Sequence, residues 1–195
     1  MSVLIFLAGS NGAGKSTFFD TYLAKLGLPF VNADRLARAL AQADPGAGPD
    51  EIDRRAFAEA EKLRSAFIEA DLSFCTETVF SDTAGAKLSL LRTARRRGFV
   101  VFLVFIGLES PALSIARVVQ RVRAGGHDVA DDKLHARFPR TLKNLASAIP
   151  LADEAFLLDN SSLGTPFRLV AVYARGQPVT RHPPIPAWAR GLPGL

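Results

Sequence analysis

Residues 9–17 read GSNGAGKST and hold the residue types that grip phosphate. Gly9, Gly14, Lys15 and Ser16 fill the fixed positions of G-x-x-x-x-G-K-[ST]. Glycines let the chain curl until successive N–H groups point inward at phosphate oxygens. The helix that follows adds its positive N-terminal end. Asn11, Gly12, Ala13 and Thr17 complete the expected nucleotide-binding loop. The pattern assigns Lys15 to the β- and γ-phosphates and Ser16 to Mg²⁺. The pattern alone arises by chance in about one chain of this length per hundred. An apolar run before it and a helix-like segment after it sharpen the assignment, and ATP with Mg²⁺ is the expected cofactor pair.

Phosphoryl transfer needs more than a cradle. It needs an acid beside the acceptor hydroxyl, a pocket for the acceptor, and cations over the moving phosphoryl group. Asp34 in VNADRLA follows the second apolar run, at the sheet edge where α/β folds place ligands. It is equally a residue type that caps helices. Asn32 stands beside it. Glu77 in FCTETV ends the third apolar run on the same edge, flanked by Thr76 and Thr78. Asn32, Thr76, Glu77 and Thr78, with His127, form the expected acceptor side, and Asp34 is the expected base. Arg117 and Arg121 lie four apart and share a helix face, and Arg137 and Arg140 lie three apart. Two Arg-bearing helices joined through AGGHDVADD suggest a lid over residues 117–140 that closes on ATP. Planar guanidinium forks suit phosphate oxygens. Three scattered histidines and one cysteine do not make a zinc site.

Other phosphate-loop chemistries fit less well. DTAG at residues 82–85 matches the D-x-x-G of GTPases, but no N-K-x-D accompanies it. Asp82 reads better as a cap for the helix that follows. A transporter ATPase would carry an LSGGQ-like signature, and this sequence has none.

These residues must be held by a scaffold. Apolar runs at 3–8, 29–32, 72–77, 99–107, 154–159 and 167–173 read as buried strands. Helical spacing fills 15–25, 34–43, 50–70, 84–97, 110–123 and 132–148, with Pro139 predicting a kink or break in the last. Strands alternating with helices predict a three-layer α/β fold around a parallel sheet. Residues 1–175 form the expected domain. Residues 176–195, rich in proline, read as an extended tail packed by Trp188.

Composition sets bounds. The 195 residues are 48% hydrophobic, enough for one domain with a sizeable core. No apolar run reaches membrane-spanning length, and residues 3–8 are too short and lack the preceding cations of a secretory signal. Cys75, alone and within an apolar strand, reads as a small core residue. Together these suit a reducing cytoplasm. The net charge of +5 favours anionic ligands. Its spread, with RTARRR at a helix end, argues against a nucleic-acid surface.

The ordered set GSNGAGKST, FVNADRLA, FCTETVFS, VFIGLESP and RVRAGGHDVADDKLHARFPRTLKNL resembles the zeta toxin family of P-loop kinases. It is most similar to a bacterial branch labelled predicted ABC-type ATPases. The resemblance spans residues 3–162 and implies transfer of phosphate from ATP to a sugar hydroxyl. The family's acceptor is UDP-N-acetylglucosamine. On that likeness Asp34 is the base, Glu77 contacts the acceptor, and Arg121 and Arg137 stabilise the moving phosphate. An antitoxin partner is a further implication. This chain is shorter than typical zeta toxins and lacks much of their acceptor-binding insertion, so the resemblance supports a kinase better than a toxin. Two other readings stand beside it: a regulatory or toxin–antitoxin component acting through a protein contact, and a nucleic-acid end kinase.

Overall fold

The computed structural model describes residues 1–123 and 130–195. Seven strands form one sheet in the order β2-β3-β1-β4-β5-β6-β7. These are β1 (Val3–Gly9), β2 (Phe30–Val31), β3 (Phe74–Thr78), β4 (Val100–Gly107), β5 (Glu154–Asp159), β6 (Arg168–Ala174) and β7 (Gln177–Arg181). Six helices accompany them: α1 (Lys15–Phe18), α2 (Ala33–Ala43), α3 (Pro49–Glu69), α4 (Ala86–Arg96), α5 (Pro111–Arg123) and α6 (Asp131–Ala148).

The central strands are buried on both faces, which is why they read as continuous apolar runs. Along β1, Leu4, Phe6 and Ala8 enter one core, while Ile5 and Leu7 enter the other. Along β4, Val101, Leu103 and Phe105 share the first core, and Val104 and Ile106 the second. The period-two alternation thus fills two apolar layers from the same residues.

Three expectations are corrected here. The sheet is mixed: β1 to β5 are parallel, but β6 runs antiparallel to β5, and β7 to β6. Only residues 160–167 join β5 to β6, too few for a crossover helix. The second correction concerns residues 176–195, which do not simply trail away. Arg175 (φ 49°) and Gly176 (φ 84°) make a two-residue hairpin turn that starts β7. Beyond β7, Trp188 is buried over Phe105, donates Nε1–H to Asp159 at 3.0 Å, and lies where a Cβ on Gly107 would stand 2.3 Å from its ring. Tyr173 donates its hydroxyl to the Pro193 carbonyl at 2.8 Å. The third correction is in the helices. α6 runs unbroken through Pro139; the Arg140 guanidinium and the Thr141 hydroxyl donate to the carbonyls of Ala136 and Arg137 around it. The helix after the glycine loop, expected over 15–25, is one α-turn followed by a π-helical turn (Phe19–Leu23) and a 3₁₀ turn (Ala24–Leu26). Phe19 stacks on Phe30 at 3.5 Å, while Phe18 packs against Tyr22 and Phe167.

Trp188 should therefore behave as a core residue. Trp188→Ala is expected to cost about 3–5 kcal/mol in urea unfolding. A loss below about 1 kcal/mol would show that the C-terminal segment is not part of the folded core.

Candidate nucleotide and acceptor site

The site lies at the carboxyl ends of β1, β2 and β3, where α/β sheets leave a crevice. Gly9 ends β1 against β4, and a Cβ there would lie 2.3 Å from the Ile106 carbonyl oxygen. Gly14 takes φ +89° and opens α1, a backbone shape other residues rarely adopt. Two buried side chains outside the motif fix the loop from below. Asn160 donates to the Ala13 carbonyl at 2.9 Å, and Ser114 donates to the Asn11 carbonyl at 2.7 Å.

Lys15 is buried at 6% exposure and its ammonium donates to the Ser10 carbonyl at 3.0 Å. Burial lowers its pKa, and the nearby Arg121 pushes the same way; Glu77 and Asp34 oppose them. The Glu77 carboxylate stands 3.8 Å from the ammonium. The same carboxylate accepts from the Ser16 hydroxyl at 2.9 Å and the Asn32 amide at 2.6 Å. Asn32 uses its other end to cap α2, accepting the Arg35 N–H at 2.9 Å. The cap of α2 is thus Asn32, and Asp34 sits exposed in the first turn, facing the cavity.

A cavity of about 480 Å³ joins these groups. Asn11, Lys15, Asn32, Asp34, Glu77 and Thr78 line it, together with Arg121 and Arg137. Six side chains that the sequence did not single out share the wall: Asp50, Asp53, Phe57 and Arg64 from α3, Lys87 from α4 and Lys133 from α6. Arg64 is 3% exposed and wholly committed: it donates to the Thr76 hydroxyl at 2.7 Å, the Glu77 carbonyl at 3.1 Å and the Glu61 carboxylate at 2.5 Å. Glu61 also holds the buried ammonium of Lys87. Burial lowers the pKa of both Arg64 and Lys87. In sequence, Glu61 and Arg64 look like an ordinary i,i+3 surface pair. Their spacing gives no sign that α3 turns them inward.

Several expected positions move. Thr76 is fully buried, donates to the Val31 carbonyl at 3.1 Å and receives Arg64; its hydroxyl faces the inner wall and not the acceptor. Arg117 packs at the back of the glycine loop, its Cβ 3.0 Å from where a Gly12 Cβ would be, and lies outside the cavity wall. Burial lowers its pKa, while Asp159 raises it. Arg140 lines a second, adjoining cavity instead of the one at the loop. Thr17 is exposed on α1 and does not line the wall. His127 lies outside the described residues. Asp82 accepts the Lys87 backbone N–H at 3.3 Å, so it does serve the start of α4, with Gly85 at the cap position itself.

The family profile of the AAA domain matches residues 4–145. The chain belongs to the AAA domain family. The matched stretch runs from β1 through the glycine loop to α6 and so contains every cavity residue named above. An uncharacterized protein of Haemophilus influenzae is 28% identical over 136 residues, 69% of this chain and 91% of its own length. Among solved structures, the AvrRxo1-ORF1:ORF2 complex with ATP superposes with a TM-score of 0.71 at 16% identity, covering 91% of this chain. This AAA domain chain spans only 60% of that protein's length. The PezAT toxin–antitoxin system of Streptococcus pneumoniae superposes at 0.63 and 15% identity, over 82% of this chain and 68% of that one. These likenesses establish a P-loop nucleotide-binding α/β fold. Among the described residues no helix is long and apolar enough to cross a membrane.

Cys75 gives a clean check on the wall behind Glu77. It is buried, and burial first, then the Glu77 charge, pushes its thiol from 9.0 to about 12. The folded state keeps this proton in the interval where the unfolded chain loses it. The contribution is thus full below about pH 9 and is lost as pH rises toward about 12. Native protein should resist thiol reagents at about pH 8 and react fully in denaturant. Cys75→Ala should flatten the alkaline fall in stability. A thiol that reacts at once in native protein would contradict this placement.

Proposed function

We propose that this protein is an ATP-dependent kinase that transfers the γ-phosphoryl group to a hydroxyl of a small molecule. The observation that carries the reading is a phosphate loop whose Lys15 and Ser16 face Glu77, with Asp34 and two arginines on one cavity wall. In the reaction the acceptor oxygen attacks the γ-phosphorus and a new O–P bond forms. The bond from phosphorus to the β,γ-bridging oxygen breaks, and its electron pair leaves with ADP. The hydroxyl proton passes to the Asp34 carboxylate. Lys15 and the arginines Arg121 and Arg137 hold the charge that spreads over the phosphoryl oxygens.

The donor set fits Mg²⁺. Ser16 Oγ and Glu77 Oε2 are 2.9 Å apart, both hard oxygen donors. Among the described residues no cluster of three or more acidic, His or Cys side chains gathers as a metal cage. That suits an ion which keeps waters and takes phosphate oxygens as ligands. Ser16 and Glu77 would hold it, where it would neutralise charge on the β- and γ-phosphates. Asn32 and Thr78, on the same cavity wall, would offer polar contacts to an acceptor.

The resemblance to zeta toxins names UDP-N-acetylglucosamine, or another nucleotide sugar, as the first acceptor to try. The likeness to the PezAT toxin–antitoxin system supports a second reading, a toxin–antitoxin component held by a protein partner. A partner that copurifies and blocks the loop would favour the second.

ADP release with Mg·ATP and a panel of hydroxyl acceptors tests the kinase reading. Lys15→Ala should lower turnover by about 100-fold or more. Asp34→Asn should lower kcat by about 100-fold or more with ATP affinity retained. Full turnover in Lys15→Ala would overturn the assignment. Loss of ATP binding in Asp34→Asn would move Asp34 to the nucleotide or metal.

A further inference from the structure

The second cavity, about 390 Å³, opens beside the first and shares with it Phe57, Thr78, Lys87, Lys133 and Arg137. Its own additions include Arg140 and Asp82. Four cations thus face a single carboxylate, against six cations and four carboxylates around the loop cavity. Two of the four cations, Lys87 and Arg140, are held by hydrogen bonds, while Lys133 is exposed. Lys87 is 4% exposed, and its ammonium meets one carboxylate, Glu61, and the face of Phe57 at 5.1 Å. Glu61 is already shared with Arg64, so one carboxylate serves two buried cations. Asp82 adds a second negative charge near Lys87, so the surplus at this wall comes from Lys133, Arg137 and Arg140. Arg140 is anchored by its Nε–H to the Ala136 carbonyl at 2.8 Å, which fixes the guanidinium at the cavity wall. The remaining feature is Asp82. One carboxylate oxygen takes the Lys87 N–H; the other, Oδ1, is buried with no hydrogen-bond partner. A buried acceptor left unpaired costs free energy until a donor arrives.

We propose that this second cavity binds a phosphate monoester on the acceptor molecule, with Lys87, Lys133 and Arg140 as its anion-binding residues. The acceptor class is then a polyol or sugar phosphate in place of a nucleotide sugar, whose phosphates are diesters, and its reacting hydroxyl extends into the first cavity beside Asp34. The inference rests on the kinase reading for that last placement only. A dianionic phosphate matches four cations and one carboxylate better than a monocarboxylate does. Phe57, an exposed aromatic at the junction of the two cavities, covers the carbon frame between them.

The test separates the cavity from the reaction. With the phosphate loop saturated by Mg²⁺ and a non-hydrolysable ATP analogue, calorimetric titrations compare glycerol 3-phosphate, glycerol and acetate on the full chain. Glycerol 3-phosphate should bind, and its affinity should fall by about tenfold or more in Arg140→Ala and in Lys133→Ala, and recover largely in Arg140→Lys. Higher salt should weaken it. Equal binding of glycerol and glycerol 3-phosphate, equal binding of acetate, or no effect of either cation variant would overturn the subsite and leave the kinase reading untouched. Phosphate-dependent binding without any transfer to sugar phosphates would retain the subsite and count against the kinase reading.

Discussion

One carboxylate organises the nucleotide end of this molecule. Glu77 lies near the end of β3 and touches three residues of two other elements: Ser16 and Lys15 on α1, and Asn32 at the head of α2. A lysine buried to 6% exposure needs a counter-charge when no phosphate is bound, because desolvation disfavours the ammonium. Glu77 supplies it from the neighbouring strand, where it pairs with Leu7, two residues before the end of β1. The phosphate loop, the cap of α2 and the end of β3 are therefore one electrostatic unit. A nucleotide phosphate would take over part of the role Glu77 plays for Lys15 and release the carboxylate toward Ser16.

Behind that unit stands a second buried arrangement, Arg64 with Glu61 and Lys87. Arg64 reaches both the Thr76 side chain and the Glu77 backbone carbonyl, so α3 grips the last turns of β3. Burying two cations against the half-buried Glu61 is costly unless each is paired and hydrogen-bonded. Here every guanidinium nitrogen group has a partner, which limits that cost, and the result is a stiff wall rather than extra stability. Stiffness matters at such a site, since positioning errors of about 1 Å can lower rates about a hundredfold. The C-terminal segment supports the other side: Trp188 fills the space over Gly107, and Asn160, at the end of β5, holds the Ala13 carbonyl.

What could be read from the chain was local. The glycine loop is contiguous, and its spacing alone sets which atoms face a phosphate. The strands β1 and β4 announce themselves because burial on both faces demands apolar residues throughout. Asp34 and Glu77 were recoverable because they end apolar runs. Direction within a strand was harder: Thr76 and Glu77 are adjacent, and a pleat sends neighbours to opposite faces, so only one of them reaches the site. Arg64, Glu61 and Lys87 stayed hidden because helical charges usually face solvent, and only tertiary packing turns these inward. Arg140 shares a helix with Arg137 but its position three residues on places it over the adjoining cavity. β6 was legible as a strand but not its antiparallel direction, and β7 was obscured by the proline content of residues 176–195, although the Arg175–Gly176 pair, at a two-residue turn, carries a hairpin signal.

The two cavities also differ in kind, and the difference follows from where their walls come from. The loop cavity mixes signs, with acids from α2, α3 and β3 opposite cations from α1, α3, α5 and α6. Such a mixture suits a place where charge moves: an acid that accepts a proton must sit within reach of groups that hold phosphate, yet the two must not neutralise each other. The strand order achieves this by placing β3 between β1 and β2. Phosphate-holding groups are carried past the end of β1, and Asp34 past the end of β2. Glu77 at the end of β3 stands between them as both spacer and counter-ion. The adjoining cavity lies on the α4 and α6 side, where no strand end contributes a second acid, and its sign is accordingly fixed. A fold built for anion binding at one strand-to-helix turn has thus gained a second anion-attracting wall from two helices that cross the same edge.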